Sequence, residues 1–468
     1  MNFNRPQIHF TSKSGWINDP NGCIYYKGKY HIFFQHNKHS NDQVNVCWGH
    51  AVSEDLIHFT EYDDALTNDQ QYDKIGCWSG GAAVLDDKLY LLYTSYGYDA
   101  EGNEQQTISL AYSEDGINFI KYENNPVIRN DNKPDIASII DFRDPYIFKK
   151  NGKFYVLIGS KKAEKGLAMV LLYETSDLIN FEFIKTLSLD EGCGTMFECP
   201  SLLEDGDNSV LIISPQNLPK KGYEFDNISS SIYQISHTNY LIEDIKLDNI
   251  CEIDHGCEYY APLFFTDDNR KLMIAWNYMW GRRYIHKDYN LDWCGNLTIP
   301  REINIINGKL RSKPIYEVNN LLRNQTFSRL SLEADKTYTL VDNLKLFRLY
   351  IDFNEINDLT LKINFVSKEN ECASVILDYT THTITFDRSK NKEQLYGIEN
   401  NDTENGIRKC KLTEKNIDIL FDEHILEMFF NNYFDSMTNL LCMDLDRVEI
   451  TSNKNINIDV ELRRKNNY

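Results

Sequence analysis

Across the first three hundred residues, hydrophobic and polar positions follow one recurring pattern: an apolar strand-like run, a short polar turn and a second apolar run. It appears as YYKGKYHIFF, VLDDKLYLLYT, FKKNGKFYVLIGS, LLEDGDNSVLIIS and FTDDNRKLMIAW, with turns near Lys27, Asp86, Asn151, Asp205 and Asp267. Apolar runs flanking Gly, Asn and Asp are hairpin signals. Their interval of about 60 residues suits a four-stranded sheet with generous loops and exceeds most solenoid repeats. A second series keeps the same period: SEDLIHF from Ser53, SEDGINF from Ser113 and TSDLINF from Thr175 each read as a polar turn entering a strand. Five such units, nearly all strand, predict a five-bladed β-propeller over residues 1–315.

Past RSKPIYEVNN the texture changes. Residues 316–324 read as a linker able to form a short helix. The runs TYTLVDN, FRLYIDF, LTLKINFV, ASVILDY, TITFDR, HILEMFF and INIDVELRR then alternate like strands, without the earlier motifs. Period-two alternation marks half-buried antiparallel strands, so residues 325–468 are predicted to form a β-sandwich. The expected fold class is all-β, a propeller catalytic domain followed by this sandwich.

Composition narrows the functions. A chain of 468 residues with 42% hydrophobic content can form two or three domains with substantial cores. Aromatic residues reach 13%, which suits strands and sugar-stacking surfaces alike. A formal charge of −21 speaks against nucleic acid or an anionic membrane as partner, because either needs a dense basic face. The start, MNFNRPQIHF, lacks an apolar stretch of signal-peptide length and no run nears a membrane span, so a cytoplasmic location is expected. The 11 cysteines are scattered without CxxC and read as buried reduced thiols. No His, Cys and acid cluster appears at metal spacing, so neither a metal nor an organic cofactor is expected.

Candidate chemistry begins at GWINDPNG, where turn residues surround Asp19. A lone DPNG is most often an Asp capping its own backbone. The repeat changes that reading. Asp19 lies about eight residues before its hairpin turn, and Ser79 in WSGGA, Asp144 in FRDP, Glu198 in ECP and Tyr260 in YYAP lie about seven before theirs. Equivalent positions ring the axis of a propeller, so these residues are expected to meet at one mouth of its channel. Two aspartates and a glutamate there suggest glycoside hydrolysis, whose retaining form uses one carboxylate as nucleophile and one protonated acid for the leaving oxygen. Glu198, flanked by apolar residues and near two other acids, should favour its protonated form. Asp19 should stay ionised through turn amides and Asn18.

The set WINDPNG, FRDP and ECP, with CWGHAVSEDL, WSGGA, SPQ at Ser214–Gln216 and LTIPRE at Leu297–Glu302, resembles glycoside hydrolase family 32, the invertases, fructan hydrolases and sucrose-6-phosphate hydrolases, in order over residues 8–322. The resemblance implies that Asp19 forms a covalent fructosyl-enzyme, that Glu198 is general acid and then base, and that Asp144 stabilises the transition state through fructose hydroxyls. It places Ile17, Asn18, Gln35, Trp78, Ser79 and Arg143 around the sugar, with Trp16 and Trp276 as apolar walls. For the tryptophans core packing is a competing explanation, and for Arg143 an ordinary ion pair. Where the family usually carries a further Trp, five residues before Trp48, this chain has Gln43, so either the neighbouring subsite is altered or the KHSNDQ loop is shifted.

The expected partner is a small sugar: sucrose, sucrose-6-phosphate or a short fructoside. A phosphate on an acidic protein needs a local basic cluster. The candidates are Arg282 and Arg283 in GRRYIHK, helped by His286 or Lys287, with Lys161 and Lys162 as a second cluster and a solvated basic loop as the alternative. Fructan exohydrolysis and fructosyl transfer would use the same carboxylates. A binding-only propeller would be expected to lack one of the three.

Overall fold

The repeated hairpins form five antiparallel sheets in the computed structural model, which describes residues 3–163, 166–189, 192–354, 357–395 and 406–465. The outer limits expected for the two domains, 1 and 468, fall outside the described residues. Each sheet runs outward in chain order from one inner strand: Gly15–Tyr26, Gly76–Leu85, Ala137–Lys150, Met196–Asp205 and Tyr260–Thr266 for sheets I to V. These inner strands pack against one another in cyclic order, the fifth against the first. The join between sheets V and I is made by backbone: Trp293 and Cys294 pair in parallel with Gly15 and Trp16. On its other side Gly15 lies against the next strand of sheet I, with a φ of +77° and a backbone so close that a Cβ would sit 2.0 Å from the Asn37 carbonyl oxygen.

The second sequence series folds identically three times. Ser53, Ser113 and Thr175 hydroxyls accept from the amides of Leu56, Gly116 and Leu178, and Asp55, Asp115 and Asp177 accept from His58, Asn118 and Asn180. Short polar side chains thereby build the turn that closes the third strand of sheets I, II and III. Apolar clusters fill the gaps between neighbouring sheets, as with Phe142, Val156 and Leu171 between sheets II and III.

The last strand of sheet V ends at Pro314, a helix spans Glu317–Leu321 and the following strand begins at Asn324. From there two six-stranded sheets enclose a core that includes Phe347, Leu361, Phe365, Phe421 and Val448. Among the described residues no helix is long and apolar enough to cross a membrane. The six-stranded pair meets the five sheets along a buried ionic seam. Arg301 donates to Glu427 (2.8 Å), Asp254 (3.0 Å) and the hydroxyls of Ser436 and Thr438. Arg388 grips Glu258 through two nitrogens (2.6 and 2.7 Å), and His9 lies between Asp422 and Glu427. LTIPRE is thus partly an interface motif, because its arginine is sealed in this seam.

Candidate active site

Each of the five inner strands is interrupted at one level. Their pairing slips between Ile17 and Pro20, Trp78 and Gly80, Arg143 and Tyr146, Glu198 and Ser201, and Tyr260 and Leu263. The residues inside these bulges include Asp19, Ser79, Asp144–Pro145, Cys199–Pro200 and Ala261–Pro262. Proline cannot donate to a strand ladder, and a bulge is where a strand accommodates it. Asp144, Cys199 and Ala261 adopt φ of 60°, 46° and 49°, a strained region for residues with a Cβ. The bulges turn alternate side chains toward one shared space. They also correct the expected register: Cys199, not Glu198, occupies the place of Asp144, Glu198 stands one residue earlier, level with Arg143 and Tyr260, and Asp19 stands one residue later in its own bulge, level with Pro145 and Pro200. Counting back from turns of unequal length concealed this offset.

The structure brings the three acids together. Asp19 is buried and accepts from the Asn18 amide (3.1 Å), the Ser79 hydroxyl (3.2 Å) and the Cys199 thiol (3.5 Å). Asp144 accepts from the Cys199 backbone N–H (3.0 Å), while its own N–H donates to Thr94 Oγ1 (2.8 Å). Glu198 accepts from Arg143 Nη2 (3.1 Å) and from the Tyr260 hydroxyl. Arg143 also donates to Asp141 (3.0 Å) and lies over the Trp78 ring. The apolar setting expected for Glu198 is replaced by a cation and a phenol.

Asp19 differs from its expectation too. Burial, together with the neighbouring charges of Asp144 and Glu198, pushes its pKa up to about 7 against the pull of Asn18. Burial likewise pushes Asp144 up to about 6, opposed by Arg143 and reinforced by Glu198. Among the described residues the donors to Asp19 are side chains and not turn amides, and burial, with the like charges of Asp144 and Glu198, outweighs them.

Around the acids, Trp16 Nε1 donates to Asn18 Oδ1 (2.7 Å) and so orients the amide that contacts Asp19. Gln35 Nε2 donates to the Cys77 carbonyl (3.1 Å), and with its amide set to match its neighbours Asn21 accepts from Gln35 Nε2 (2.8 Å) and donates to Ser79 Oγ (3.1 Å). Ile17 points the other way, into an apolar cluster with Phe10, Phe34 and Leu297. Trp276 is sealed at 0% exposure and supports the half-buried Trp280, whose ring lies 4.6 Å away and stacks on Trp16. Gln43 sits in an exposed loop beside Val44.

The basic loop departs most from expectation. Arg282 is buried and donates to Asn227 (3.2 Å); Arg283 pairs with Asp288 (2.5 Å) and Glu393 (2.9 Å); Lys287 pairs with Asp42. His286 packs among the rings of Phe3, Trp293 and His424. Arg282 and His286 are buried, while Arg283 and Lys287 remain partly exposed with their charges paired to acids, which a local cluster in sequence does not reveal. Lys161, by contrast, lies 3.3 Å from Asp141, one step from Arg143 and two from Glu198.

Sequence reasoning gave no role to Cys199, Asn21 or Trp280. The available signal for Cys199 was its place in ECP, between the glutamate and the bulge proline.

Residues 9–314 match the glycosyl hydrolases family 32 N-terminal domain. The chain is 32% identical to a sucrose-6-phosphate hydrolase of Escherichia coli, covering 74% of this chain and 72% of the relative, and 29% identical to one of Zymomonas mobilis, covering 91% and 83%. Among solved structures, a Bombyx mori β-fructofuranosidase in complex with sucrose superposes with a TM-score of 0.85 at 29% identity, covering 98% of this chain and 94% of the other. A sucrose-6-phosphate hydrolase from Lactobacillus gasseri superposes with a TM-score of 0.87 at 25% identity, covering 99% and 93%. With this match over the residues that build the carboxylate cluster, the chain belongs to glycosyl hydrolase family 32.

Proposed function

We infer that this glycoside hydrolase cleaves the fructosyl bond of sucrose or sucrose-6-phosphate with retention of configuration. In this reading residues 1–315 form a five-bladed propeller that carries the chemistry, 316–324 a linker and 325–468 a β-sandwich. The observation that carries the reading is the convergence of Asp19 and Asp144, inside their bulges, with Glu198, at the edge of its own, from separate inner strands joined through Cys199 and Arg143. The similarity to relatives named for sucrose and its phosphate supports the substrate class.

Asp19 attacks the anomeric carbon of the fructosyl unit. The glycosidic carbon–oxygen bond breaks, and the departing oxygen takes its electron pair and the proton of Glu198. Water then loses a proton to Glu198, its oxygen bonds the same carbon, and the ester bond to Asp19 breaks with the electrons returning to Asp19. Asp144 holds fructose hydroxyls as positive charge develops on the ring. Arg143 and Tyr260 aim the Glu198 carboxyl. Since Asp19 must be ionised to attack and sits near 7, kcat/KM should fall as pH drops below about 7.

Asp19→Asn and Glu198→Gln test the assignment. Both should lower sucrose cleavage by several orders of magnitude. Glu198→Gln should retain turnover of a fructoside whose leaving group needs no proton, and Asp19→Asn should not. Substantial sucrose cleavage by Asp19→Asn would reject it as nucleophile, and so would early-time NMR showing inverted fructose.

With Arg282 buried and Arg283 paired to Asp288 and Glu393, Lys161 becomes the better phosphate donor, together with Lys162 beside it. A phosphorylated disaccharide would be met inside the cell, which agrees with the expected location. The parent should prefer sucrose-6-phosphate over sucrose by about tenfold or more, as one charged hydrogen bond is worth about 1.5–3 kcal/mol. Lys161→Ala should erase that preference while keeping activity on sucrose.

A further inference from the structure

Outside the carboxylate cluster, one buried group of side chains combines three donor types from three sheets. His255 follows the outermost strand of sheet IV, Cys251–Glu252. Cys410 lies on Ile407–Lys411, the edge strand of one six-stranded sheet, and Asp435 opens Asp435–Leu440, the edge strand of the other. Their imidazole nitrogen, thiol sulfur and carboxylate oxygen lie within 4.8 Å of one another.

We propose that His255, Cys410 and Asp435 bind one divalent transition-metal ion of the zinc type, which clasps sheet IV to both sheets of the C-terminal pair. The hydrogen bonding around the group supports this. His255 Nδ1 is 3.0 Å from Glu252 Oε2, and its Nε2 is 3.2 Å from Asp435 Oδ1. When the imidazole is neutral and donates Nδ1–H to Glu252, Nε2 turns its lone pair toward Asp435, where a cation would join the two. A carboxylate behind the distal nitrogen of a histidine is the arrangement that fixes a metal-binding tautomer.

A proton could serve as that cation, giving an imidazolium between two carboxylates. Cys410 supplies the donor that points to a metal: thiolate, imidazole and carboxylate together make a donor set for zinc. The group is also held in place independently of any ion. The His255 backbone N–H donates to the Ser436 carbonyl (2.8 Å), and Asn431 Nδ2 donates to Asp435 Oδ2 (2.6 Å), leaving Oδ1 aimed at the histidine. The Asp435 side chain keeps 30% exposure, so water can complete a tetrahedral set from that side. Binding expels the Cys410 thiol proton to solvent, and the resulting thiolate supplies the electron pair to the metal.

None of these residues touches Asp19, Asp144 or Glu198, so the ion would stabilise the molecule rather than take part in sugar cleavage. The sequence could not disclose the site because His255 and Asp435 are 180 positions apart.

The test uses the full chain, stripped with a chelator, dialysed and titrated with Co²⁺. Expected are one equivalent bound, visible ligand-field bands of a tetrahedral ion, a near-ultraviolet thiolate-to-cobalt charge-transfer band, and displacement by Zn²⁺ with a rise in Tm. Cys410→Ser should lose the charge-transfer band. Asp435→Asn should bind about tenfold or more weakly. Both variants should hydrolyse sucrose like the parent. Absence of the charge-transfer band in the parent overturns the proposal whether or not either variant folds. Its persistence in Cys410→Ser, or a Tm indifferent to Zn²⁺, overturns it as well.

Discussion

The molecule buries two clusters of carboxylates and treats them in opposite ways. In the seam, Glu258, Asp422 and Glu427 are fully enclosed, and burial alone would favour their neutral forms, yet Arg388, His9 and Arg301 beside them hold their pKa values below the usual range. At the bulges, burial and mutual repulsion raise Asp19 and Asp144, with Arg143 as the cation at hand, shared with Glu198 and Asp141. A seam of matched charges resists disassembly. A pocket of mismatched charges is costly to keep ionised, and in the proposed mechanism that cost would fall as positive charge develops on the sugar. The contrast separates residues that hold the structure from residues that use it, and it assigns Arg301 of LTIPRE to the first group.

Removing a cation from the seam should have the largest effect on stability. Arg301→Met leaves Glu427 and Asp254 without their guanidinium and should destabilise the protein by about 3–5 kcal/mol, read as a lower midpoint in urea. A loss below about 1 kcal/mol would remove the contrast between the clusters.

The opposite sign is expected in the pocket. The folded pKa of Asp19 lies above its unfolded value near 4, so ionising it opposes folding. The penalty is absent below about pH 4, grows between 4 and 7 and is complete above 7. Asp19→Asn, expected to be inactive, should therefore be more stable than the parent at pH 8 by on the order of 2–4 kcal/mol, and the gain should vanish at pH 4. An Asp19→Asn variant with a lower Tm than the parent at pH 8 would show the pocket to be compensated like the seam.

His9 sharpens the comparison by a smaller amount. Burial opposes its charge, but Asp422 and Glu427 push its pKa up to about 9. The stabilisation is fully present below about 6.5 and lost as pH rises through 9. His9→Gln should cost about 1–3 kcal/mol at pH 6 and little at pH 9.5, read from paired denaturation curves. Equal losses at both would mean that His9 acts through packing alone.

Much of the fold was legible because it is locally encoded and repeated. A two-residue polar turn between apolar runs needs no distant partner, and the Ser, Thr and Asp turns at Ser53, Ser113 and Thr175 reappear with the same hydrogen bonds. The carboxylates were legible for the same reason: Asp144–Pro145 and Cys199–Pro200 mark bulges in sequence, since proline has no N–H for the ladder. The place of Ile17 was not legible, because one step along a strand moves a side chain to the other face.

The sequence by itself determined the strand repeat, the change of texture near residue 316 and the three acids. Only the tertiary structure decided where charge is compensated. Arg282 and Arg283 look like an anion site in the chain and are drawn to Asn227, Asp288 and Glu393 in the fold, whereas Lys161 comes to stand beside Asp141 near the acids. Asp19 was expected to stay ionised, yet burial in the assembled fold, with Asp144 and Glu198 from other sheets adding to it, raises its pKa. Local structure follows from backbone geometry and short-range hydrogen bonds, which neighbouring residues specify. Electrostatic state depends on burial and on charges within a few ångströms, and those neighbours are chosen only when distant strands meet.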